Sequence, residues 1–169
     1  LYESQSFIHE RRQRLFEQAC KQQGFHVGDL LKILANFNES SLLVIGDTIV
    51  DRYVACDAIG MSAEAPVIVA REQQTRDYVG GAAIVALHVK ALGAKCRYLS
   101  VAGPDKNAEM VANELDRFNV EHVMIEDTSR PTTLKIRYMV ENQKLFRVSR
   151  LKDHGISRVV EEQLIEEIR

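Results

Sequence analysis

The sequence lacks the features that would mark a secreted, membrane-spanning or metal-binding protein. Its three cysteines, Cys20, Cys56 and Cys96, are far apart and odd in number, so they match neither a disulfide framework nor a metal-binding pattern. No apolar run approaches the roughly 20 residues of a transmembrane helix, and nothing at the start resembles a secretory signal. These absences favour a protein of the reducing cytoplasm.

Charge and histidine placement argue against further classes. A net charge of -2 gives no reason to expect nucleic acid or an acidic membrane as a partner. The five histidines are scattered without metal-ligand spacing, and none lies beside a Ser or Cys nucleophile. We expect His88, in the middle of a helical pattern, to be a packing residue. The sequence contains no Walker-type glycine loop.

The chain has the length and composition of one domain or slightly more. It has 169 residues, 46% hydrophobic and 27% charged, which is enough to bury a core. The pattern of residues 1–40 predicts two helices, 6–21 and 29–37. No turn-forming residues there connect these helices to a sheet. We interpret them as a helical linker or the tail of a preceding domain, and 41–169 as the main domain. The absence of an initial methionine and an end inside a helical pattern lead us to expect a segment of a larger protein.

From residue 42 onward the pattern predicts an α/β fold. The run LLVIGD is typical of a parallel strand buried on both faces, and further strands are predicted at 95–101 and 120–125. Helices at 82–92 and 107–118 alternate with them, as in βαβ units around a parallel sheet. The predicted core faces and turns rest on a few residues: Val85, Val89 and Leu92 in the first helix, Gly93 as its stop, Val111, Leu115 and Phe118 in the second, and Asp105 as a turn or cap residue.

Two stretches with a period of two predict strands that leave this sheet. They are 52–57 with 66–78, and 132–150 with a turn at Glu141-Asn142-Gln143. Leu134, Ile136, Tyr138 and Val140 alternate with Thr133, Lys135, Arg137 and Met139. With Phe146 and Val148 of the partner strand, the first set offers more apolar surface than a free two-stranded excursion can leave in water. We therefore predict a homodimer through these strands.

An acidic residue and a glycine pair form the first candidate site. Asp51 follows the first strand, and Gly80-Gly81 precede the first core helix, where ligands bind in open α/β sheets. A carboxylate that accepts hydrogen bonds opposite backbone N–H groups that donate them suits a polyol. Alternatively, Asp51 caps a turn or pairs with Arg52 or another cation, and the glycines form a tight turn. We expect Asp47 to cap backbone.

Two cations form the second candidate site. Lys135 and Arg137 lie on the same face of one predicted strand, about 7 Å apart. Two such cations can bind a phosphate together. The alternative is a solvated sheet face.

Four segments together resemble the amino-terminal half of the phosphofructokinase-B, or ribokinase-like, sugar kinases: VIGDTIVDRY, SAEAPV, GGAAIVALHVKALGA and RPTTLKIRYMVENQKLFRV. The resemblance covers 42–169 and implies a layered parallel sheet with a β-strand lid. Within the family the chain is most similar to the kinase module of bifunctional ADP-heptose synthases, or to a cytidylyltransferase-fused relative. The resemblance implies a carbohydrate kinase that uses ATP and Mg²⁺ to phosphorylate a sugar or sugar phosphate of the heptose 7-phosphate type.

The resemblance also assigns residues. It implies that Asp51, Gly80 and Gly81 contact sugar hydroxyls and that the lid closes over the sugar and forms the dimer. Ile84 stands where the family has a sugar-contacting asparagine, and Gly60 where heptose kinases have an arginine.

The family's Gly-Ala-Gly-Asp motif, which supplies the catalytic base, does not occur in the 169 residues. We therefore expect the base and most of the ATP and Mg²⁺ contacts to come from elsewhere in the full-length protein. Two hypotheses stay open. One is the sugar-binding half of a kinase; the other is a non-catalytic dimerisation or sugar-sensing module attached to a nucleotidyltransferase.

Overall fold

The structure, a computed structural model, describes residues 5–141 and 143–169. The chain divides into two units, residues up to Ser40 and residues Ser41–Arg169. The first unit consists of α1 (Gln5–Gln22), α2 (Val27–Ala35) and a short 3-10 turn (Phe37–Glu39). Both helices were expected from the sequence, although α2 begins earlier than predicted. It does so because the carboxylate of Asp29 accepts a hydrogen bond of 3.0 Å from the amide of His26, which fixes the start of the helix.

The second unit alternates strands and helices. Its elements are β1 (Ser41–Ile45), β2 (Thr48–Met61), β3 (Ile68–Gly80), α3 (Gly81–Ala91), β4 (Lys95–Ala102), α4 (Lys106–Arg117), β5 (Glu121–Glu126), β6 (Thr133–Val140), β7 (Gln143–Arg150) and α5 (Arg158–Ile168). None of the helices in the described part of the chain is both long and apolar enough to cross a membrane.

The parallel sheet has the predicted strands. Its order is β1-β4-β5, with parallel pairing throughout, so the α/β architecture is confirmed. Gly93 follows α3 with φ +100, the left-handed conformation that glycine adopts without a Cβ clash. Asp105 caps α4 as predicted, because its carboxylate accepts from the amides of Asn107 and Ala108 at 3.0 and 3.1 Å.

The second sheet, here called the lid sheet, has the order β3-β2-β6-β7. β2 and β6 pair in parallel, and the outer strands β3 and β7 pair antiparallel with them. The strands predicted at 52–57, 66–78 and 132–150 are confirmed as strands, and β2 runs further than expected at both ends. In the turn between β6 and β7, Glu141 has φ +51, and Asn142 lies outside the described residues.

The core joins one face of the lid sheet to the helices. Five residues of the lid sheet, Val50, Val54, Cys56, Leu134 and Ile136, belong to one buried cluster with residues from other parts of the second unit, namely Ala83, Ala86, Cys96, Tyr98, Val111, Leu115 and Val120. The prediction that placed Leu134 and Ile136 on a surface needing a second subunit is therefore wrong, since both are buried within the chain itself.

Four further side chains differ from the predicted packing. α3 packs through Ala83 and Ala86, which are fully buried, whereas Val85 and Leu92 are exposed. Short alanine side chains let a helix approach a sheet closely, so the face that carries them is the one that packs. The same orientation leaves His88 exposed, contrary to our expectation. Phe118 ends α4 and is also exposed.

Candidate functional site

The end of β3 and the beginning of α3 form the floor of the site. Ile49 pairs with Gly80, and Asp51 pairs with Tyr78 across β2 and β3. A Cβ atom added at Gly80 would lie 2.6 Å from Oδ2 of Asp51, so the carboxylate rests directly against glycine backbone. Gly81 has φ +60, and the amide of Ala82 donates to the carbonyl of Asp47 at 3.1 Å. The glycine pair thus turns the chain from strand to helix beside Asp51.

These residues line an open cavity of about 500 Å³, a size suited to a small molecule. Its lining consists of Asp51, Tyr53, Tyr78, Val79, Gly80, Gly81 and Ile84. The rings of Tyr53 and Tyr78 meet edge to face, with centroids 5.6 Å apart and an interplanar angle of 86°. Both tyrosines are exposed, and Ile84 is half-buried. The cavity therefore combines one carboxylate with aromatic and aliphatic walls.

Strand pairing places the predicted cations on the same face as Asp51. Two rows of side chains cross the lid sheet: Tyr78, Asp51, Lys135 and Ser149 in the first, and Arg76, Tyr53, Arg137 and Arg147 in the second. Directly paired residues have Cβ atoms about 4.5–5.5 Å apart. The two candidate sites from the sequence are therefore one continuous surface, with four cations around a single carboxylate.

Asp51 and Arg137 form an ion pair. Nη1 of Arg137 donates to Oδ1 of Asp51, and the two side chains are 16% and 24% exposed respectively. The Arg137 guanidinium also lies over the ring of Tyr53, 5.2 Å from its centroid, which adds a cation–π contact. Arg52, which we considered as an alternative partner of Asp51, instead pairs with Asp77 through two hydrogen bonds of 2.7 Å. These bonds raise the pKa of Arg52 above its ordinary value.

A buried chain of hydroxyl groups fixes the turn that leads into β2. Thr48 donates to Oγ of Ser100 at 2.8 Å, and Ser100 donates to the carbonyl of Gly46 at 2.6 Å. Since the Thr48 proton is used in this way, the hydroxyl of Tyr98, 2.9 Å away, donates to Thr48. Burial raises the pKa of Tyr98, which keeps its phenol protonated and able to donate. This network holds the start of β2, three residues before Asp51.

The structure thus gathers the predicted residues and corrects one of them. Asp51, Gly80 and Gly81 line one cavity, Arg137 contacts Asp51, and Lys135 is its register neighbour. The prediction that Asp47 caps backbone with its side chain is wrong: its carboxylate is exposed and has no hydrogen-bond partner among residues 5–141 and 143–169. Tyr53, Tyr78, Arg76 and Arg147 are additions from the structure. A spacing of two from Asp51 along β2 was the available signal for Tyr53, and a spacing of two from Gly80 along β3 for Tyr78. Arg76 and Arg147 join the site only through strand register.

Comparison with known proteins shows the family of this chain. The family model described as pfkB family carbohydrate kinase matches residues 39–154. The chain is 35% identical over 136 residues to the Bifunctional protein HldE of Proteus mirabilis (strain HI4320), covering 80% of this chain and 28% of that protein. It is 40% identical over 115 residues to the Bifunctional protein HldE of Pseudomonas aeruginosa (strain LESB58), covering 68% and 24%. The chain spans about a quarter of the length of these curated relatives.

Solved structures share the fold. The phosphofructokinase-2 of Escherichia coli, in complex with fructose-6-phosphate, gives a TM-score of 0.57 at 18% identity, over 76% of this chain and 40% of that chain. The ribokinase of Thermotoga maritima gives 0.51 at 16% identity, over 65% and 35%. At these identities the likeness concerns the fold alone, and it confirms the predicted ribokinase-like architecture.

Proposed function

The chain belongs to the pfkB family of carbohydrate kinases, and from this membership and the geometry of its site we propose that it is the acceptor-binding and lid half of an ATP-dependent carbohydrate kinase. The proposed acceptor is a sugar or sugar phosphate of the heptose 7-phosphate type. The observation that carries the proposal is the shared surface of Asp51, the glycine pair and two lid cations.

Each part of this surface suits one part of a sugar phosphate. Asp51 accepts hydrogen bonds from sugar hydroxyls, and glycine backbone at Gly80 and Gly81 allows the sugar to come close. Tyr53 and Tyr78 provide apolar faces for the C–H groups of the ring. Lys135 and Arg137 bind the phosphate. In this role the chain orients the acceptor hydroxyl towards the phosphoryl donor and shields it from water.

The phosphoryl donor and its metal belong to another part of the protein in this proposal. The described residues contain no group of three or more His, Cys, Asp or Glu side chains that could hold a metal ion, and we assign none of them to Mg²⁺. The ATP and Mg²⁺ contacts, and the base that deprotonates the acceptor, would then lie outside these 169 residues. The three cysteines are free and buried, which supports a cytoplasmic location.

Two features of organisation complete the proposal. Residues 1–40 act as a helical linker or as the tail of a preceding domain, and 41–169 as the amino-terminal half of a ribokinase-like kinase domain. The lid sheet binds a second copy of the same chain. Support for the dimer comes from apolar side chains that remain exposed on the lid sheet, among them Phe146, Val148 and Ile68.

A second candidate is a non-catalytic, sugar-sensing or dimerisation module attached to a nucleotidyltransferase. Ile84 favours it, because this apolar side chain lines the cavity at the position where the family has a sugar-contacting asparagine. An isoleucine cannot supply the hydrogen bond of an amide. The two candidates differ in whether the bound sugar is phosphorylated.

Phosphoryl transfer from ATP to heptose 7-phosphate by the full-length protein tests the proposal. Asp51→Asn keeps the shape but removes the charge, and charged hydrogen bonds contribute about 1.5–3 kcal/mol each. We expect kcat/KM to fall at least about tenfold, since about 1.4 kcal/mol corresponds to a factor of ten.

Asp57→Asn is the matched control, on the same strand but bonded to the side chain of Gln73; it should leave kcat/KM unchanged. Full activity in a folded Asp51→Asn protein would place the sugar elsewhere. Sugar binding without any transfer by the wild type would favour the second candidate.

A further inference from the structure

Both oxygens of the proposed sugar-binding carboxylate are already in contact with protein groups. Oδ1 of Asp51 accepts from Arg137, and Oδ2 lies against the backbone of Gly80. A sugar hydroxyl that donates to Oδ1 must therefore compete with a guanidinium.

A neutral hydroxyl is a poor replacement for this ion pair. Displacing Arg137 from Asp51 leaves a cation that is only 16% exposed without its partner, and a partly buried charge without a partner costs free energy. A phosphate group removes that cost. It is an anion whose oxygens match the geometry of the guanidinium, and it can take over the N–H group that Asp51 releases.

The surroundings of Arg137 suit an incoming anion. Apart from the bond to Asp51, its N–H groups have no hydrogen-bond partner among residues 5–141 and 143–169. Lys135 is the register neighbour of Asp51, and Arg147 is that of Arg137. Within the same described part of the chain, Lys135 has no ion-pair partner either. An anion here meets two or three cations and one carboxylate.

The Arg52–Asp77 pair offers a contrast within the same sheet. There the guanidinium binds both carboxylate oxygens at 2.7 Å, and neither residue lines the sugar cavity. That pair has the geometry of a fixed cross-strand link. The Asp51–Arg137 pair uses one guanidinium nitrogen, and its carboxylate lines the cavity, which is the arrangement of a pair that can change partners.

We propose that Asp51 and Arg137 form an exchangeable ion pair that makes the site selective for phosphorylated acceptors. The phosphate of the acceptor takes Arg137 and Lys135, and the released Asp51 accepts the sugar hydroxyls. A sugar without a phosphate must break the ion pair without giving Arg137 a new anionic partner, and it therefore binds weakly. This inference rests on the proposed function, and it adds that phosphate and hydroxyl recognition are coupled.

Calorimetry on the wild-type full-length protein tests the coupling directly. The probes are a heptose, its 7-phosphate and inorganic phosphate. If phosphate frees Asp51, saturating inorganic phosphate should tighten heptose binding about fivefold or more, and heptose should tighten phosphate binding by the same factor, because such coupling is reciprocal. Heptose affinity that is unchanged or lowered by phosphate would overturn the exchange.

Arg137→Gln provides the second test. Removing the cation frees Asp51 permanently, so heptose 7-phosphate should bind at least about tenfold more weakly, while heptose binds severalfold more tightly and loses its response to phosphate. Lys135→Gln should weaken heptose 7-phosphate without tightening heptose, because Lys135 does not occupy Asp51. Arg52→Gln should change neither affinity.

The outcomes separate this inference from the proposed function. Wild-type protein that binds neither heptose nor its 7-phosphate refutes the proposed function, and the exchange with it. If both sugars bind but Arg137→Gln leaves heptose affinity unchanged or lowers it, the pair is a fixed structural link and only the exchange is overturned. The phosphate titration needs no variant, so a folding defect in Arg137→Gln leaves the test intact.

Discussion

Gly80 and Gly81 are adjacent, yet each is required by a different neighbour. Gly80 has an extended backbone that any residue can adopt, and the space beside it is filled by the carboxylate of Asp51. Gly81 has φ +60, and a Cβ atom there would collide with the backbone carbonyl of Asp47. A carboxylate can move aside, but a backbone carbonyl in a strand-to-helix turn cannot.

The two alanine variants should therefore fail in different ways. Gly80→Ala should shift Asp51 and reduce acceptor affinity about tenfold or more, with little change in the free energy of unfolding. Gly81→Ala should lower the free energy of unfolding by more than about 1 kcal/mol, because the left-handed conformation alone costs an L residue about 1–2 kcal/mol. Acceptor titration and urea unfolding of both variants measure the two effects. Normal acceptor binding by Gly80→Ala would mean that the sugar does not use Asp51.

Site residues can be predicted from the sequence where the hydrophobic pattern changes along the chain. Site residues that join the site only because two strands pair cannot be predicted in this way. The glycine pair stands where a strand ends and a helix begins, so its position is visible in the chain itself. Asp51, predicted just past the first strand, lies instead inside β2, paired with both neighbouring strands. Arg147 and Arg76 enter the site only through the register of β7 on β6 and of β3 on β2. Register depends on contacts between distant segments, which one sequence does not display.

The connection from β5 to β6 is organised around one carboxylate, that of Asp127. Asp127 accepts from the amide and hydroxyl of Ser129 at 2.9 and 2.6 Å, and from Nε of Arg130 at 2.7 Å. Arg130 in turn donates to the carbonyls of His154 and Gly155 at 3.0 and 2.9 Å. The buried Asp127 thus links this loop to the segment that precedes α5.

These bonds make a prediction about acid stability. The Ser129 hydroxyl and amide, with Arg130, lower the pKa of Asp127, so the folded state favours its ionised form. The stabilisation is complete above the ordinary aspartate pKa of about 3.9 and is lost as the pH falls towards the lower pKa of the folded state. The stability difference between wild type and Asp127→Asn should therefore be largest near neutral pH and shrink below about pH 4.

Urea unfolding at pH 7, 5 and 3 measures that difference. Ser129→Ala, which removes one donor, should give an intermediate result. A difference between wild type and Asp127→Asn that stays constant from pH 7 to pH 3 would contradict the assigned role of the carboxylate.

The period of the hydrophobic pattern predicts where helices and strands lie more reliably than it predicts which of their faces is buried. The switch from apolar runs to alternation located the strands of both sheets. The predicted burial of the first strand on both faces is wrong, because Leu42, Leu43 and Ile45 of β1 are exposed. The buried face of α3 was missed because the prediction followed large apolar residues, whereas the helix packs through Ala83 and Ala86. Which face packs was decided by closeness of approach rather than by side-chain size.

For the whole molecule, the lid sheet has two different faces. One continues into the core through Val50, Val54, Leu134 and Ile136, which narrows the apolar surface that a partner could cover. Apart from the tyrosines of the cavity, exposed apolar side chains occur on the outer strand β7 and at the tip of the β2–β3 hairpin, among them Phe146, Val148, Ile59, Met61, Val67, Ile68 and Val69. These side chains lie on or beside the edge strands of the lid sheet, where another chain can add contacts.

The predicted homodimer therefore depends on this remaining apolar surface. Phe146 is 52% exposed and stacks on Tyr138 with ring centroids 4.6 Å apart, so it presents a rigid aromatic surface of the kind enriched at interfaces. Phe146→Glu places a charge there and should weaken the dimer by at least about tenfold, since large aromatic residues at an interface centre contribute about 2 kcal/mol or more.

Phe118→Glu is the matched control, because Phe118 is 48% exposed but lies at the end of α4. Sedimentation of the full-length proteins at micromolar concentration should show a wild-type dimer, a dimer for Phe118→Glu and monomer for Phe146→Glu. A wild-type monomer would refute the dimer itself, and a dimer in all three proteins would move its interface away from β7.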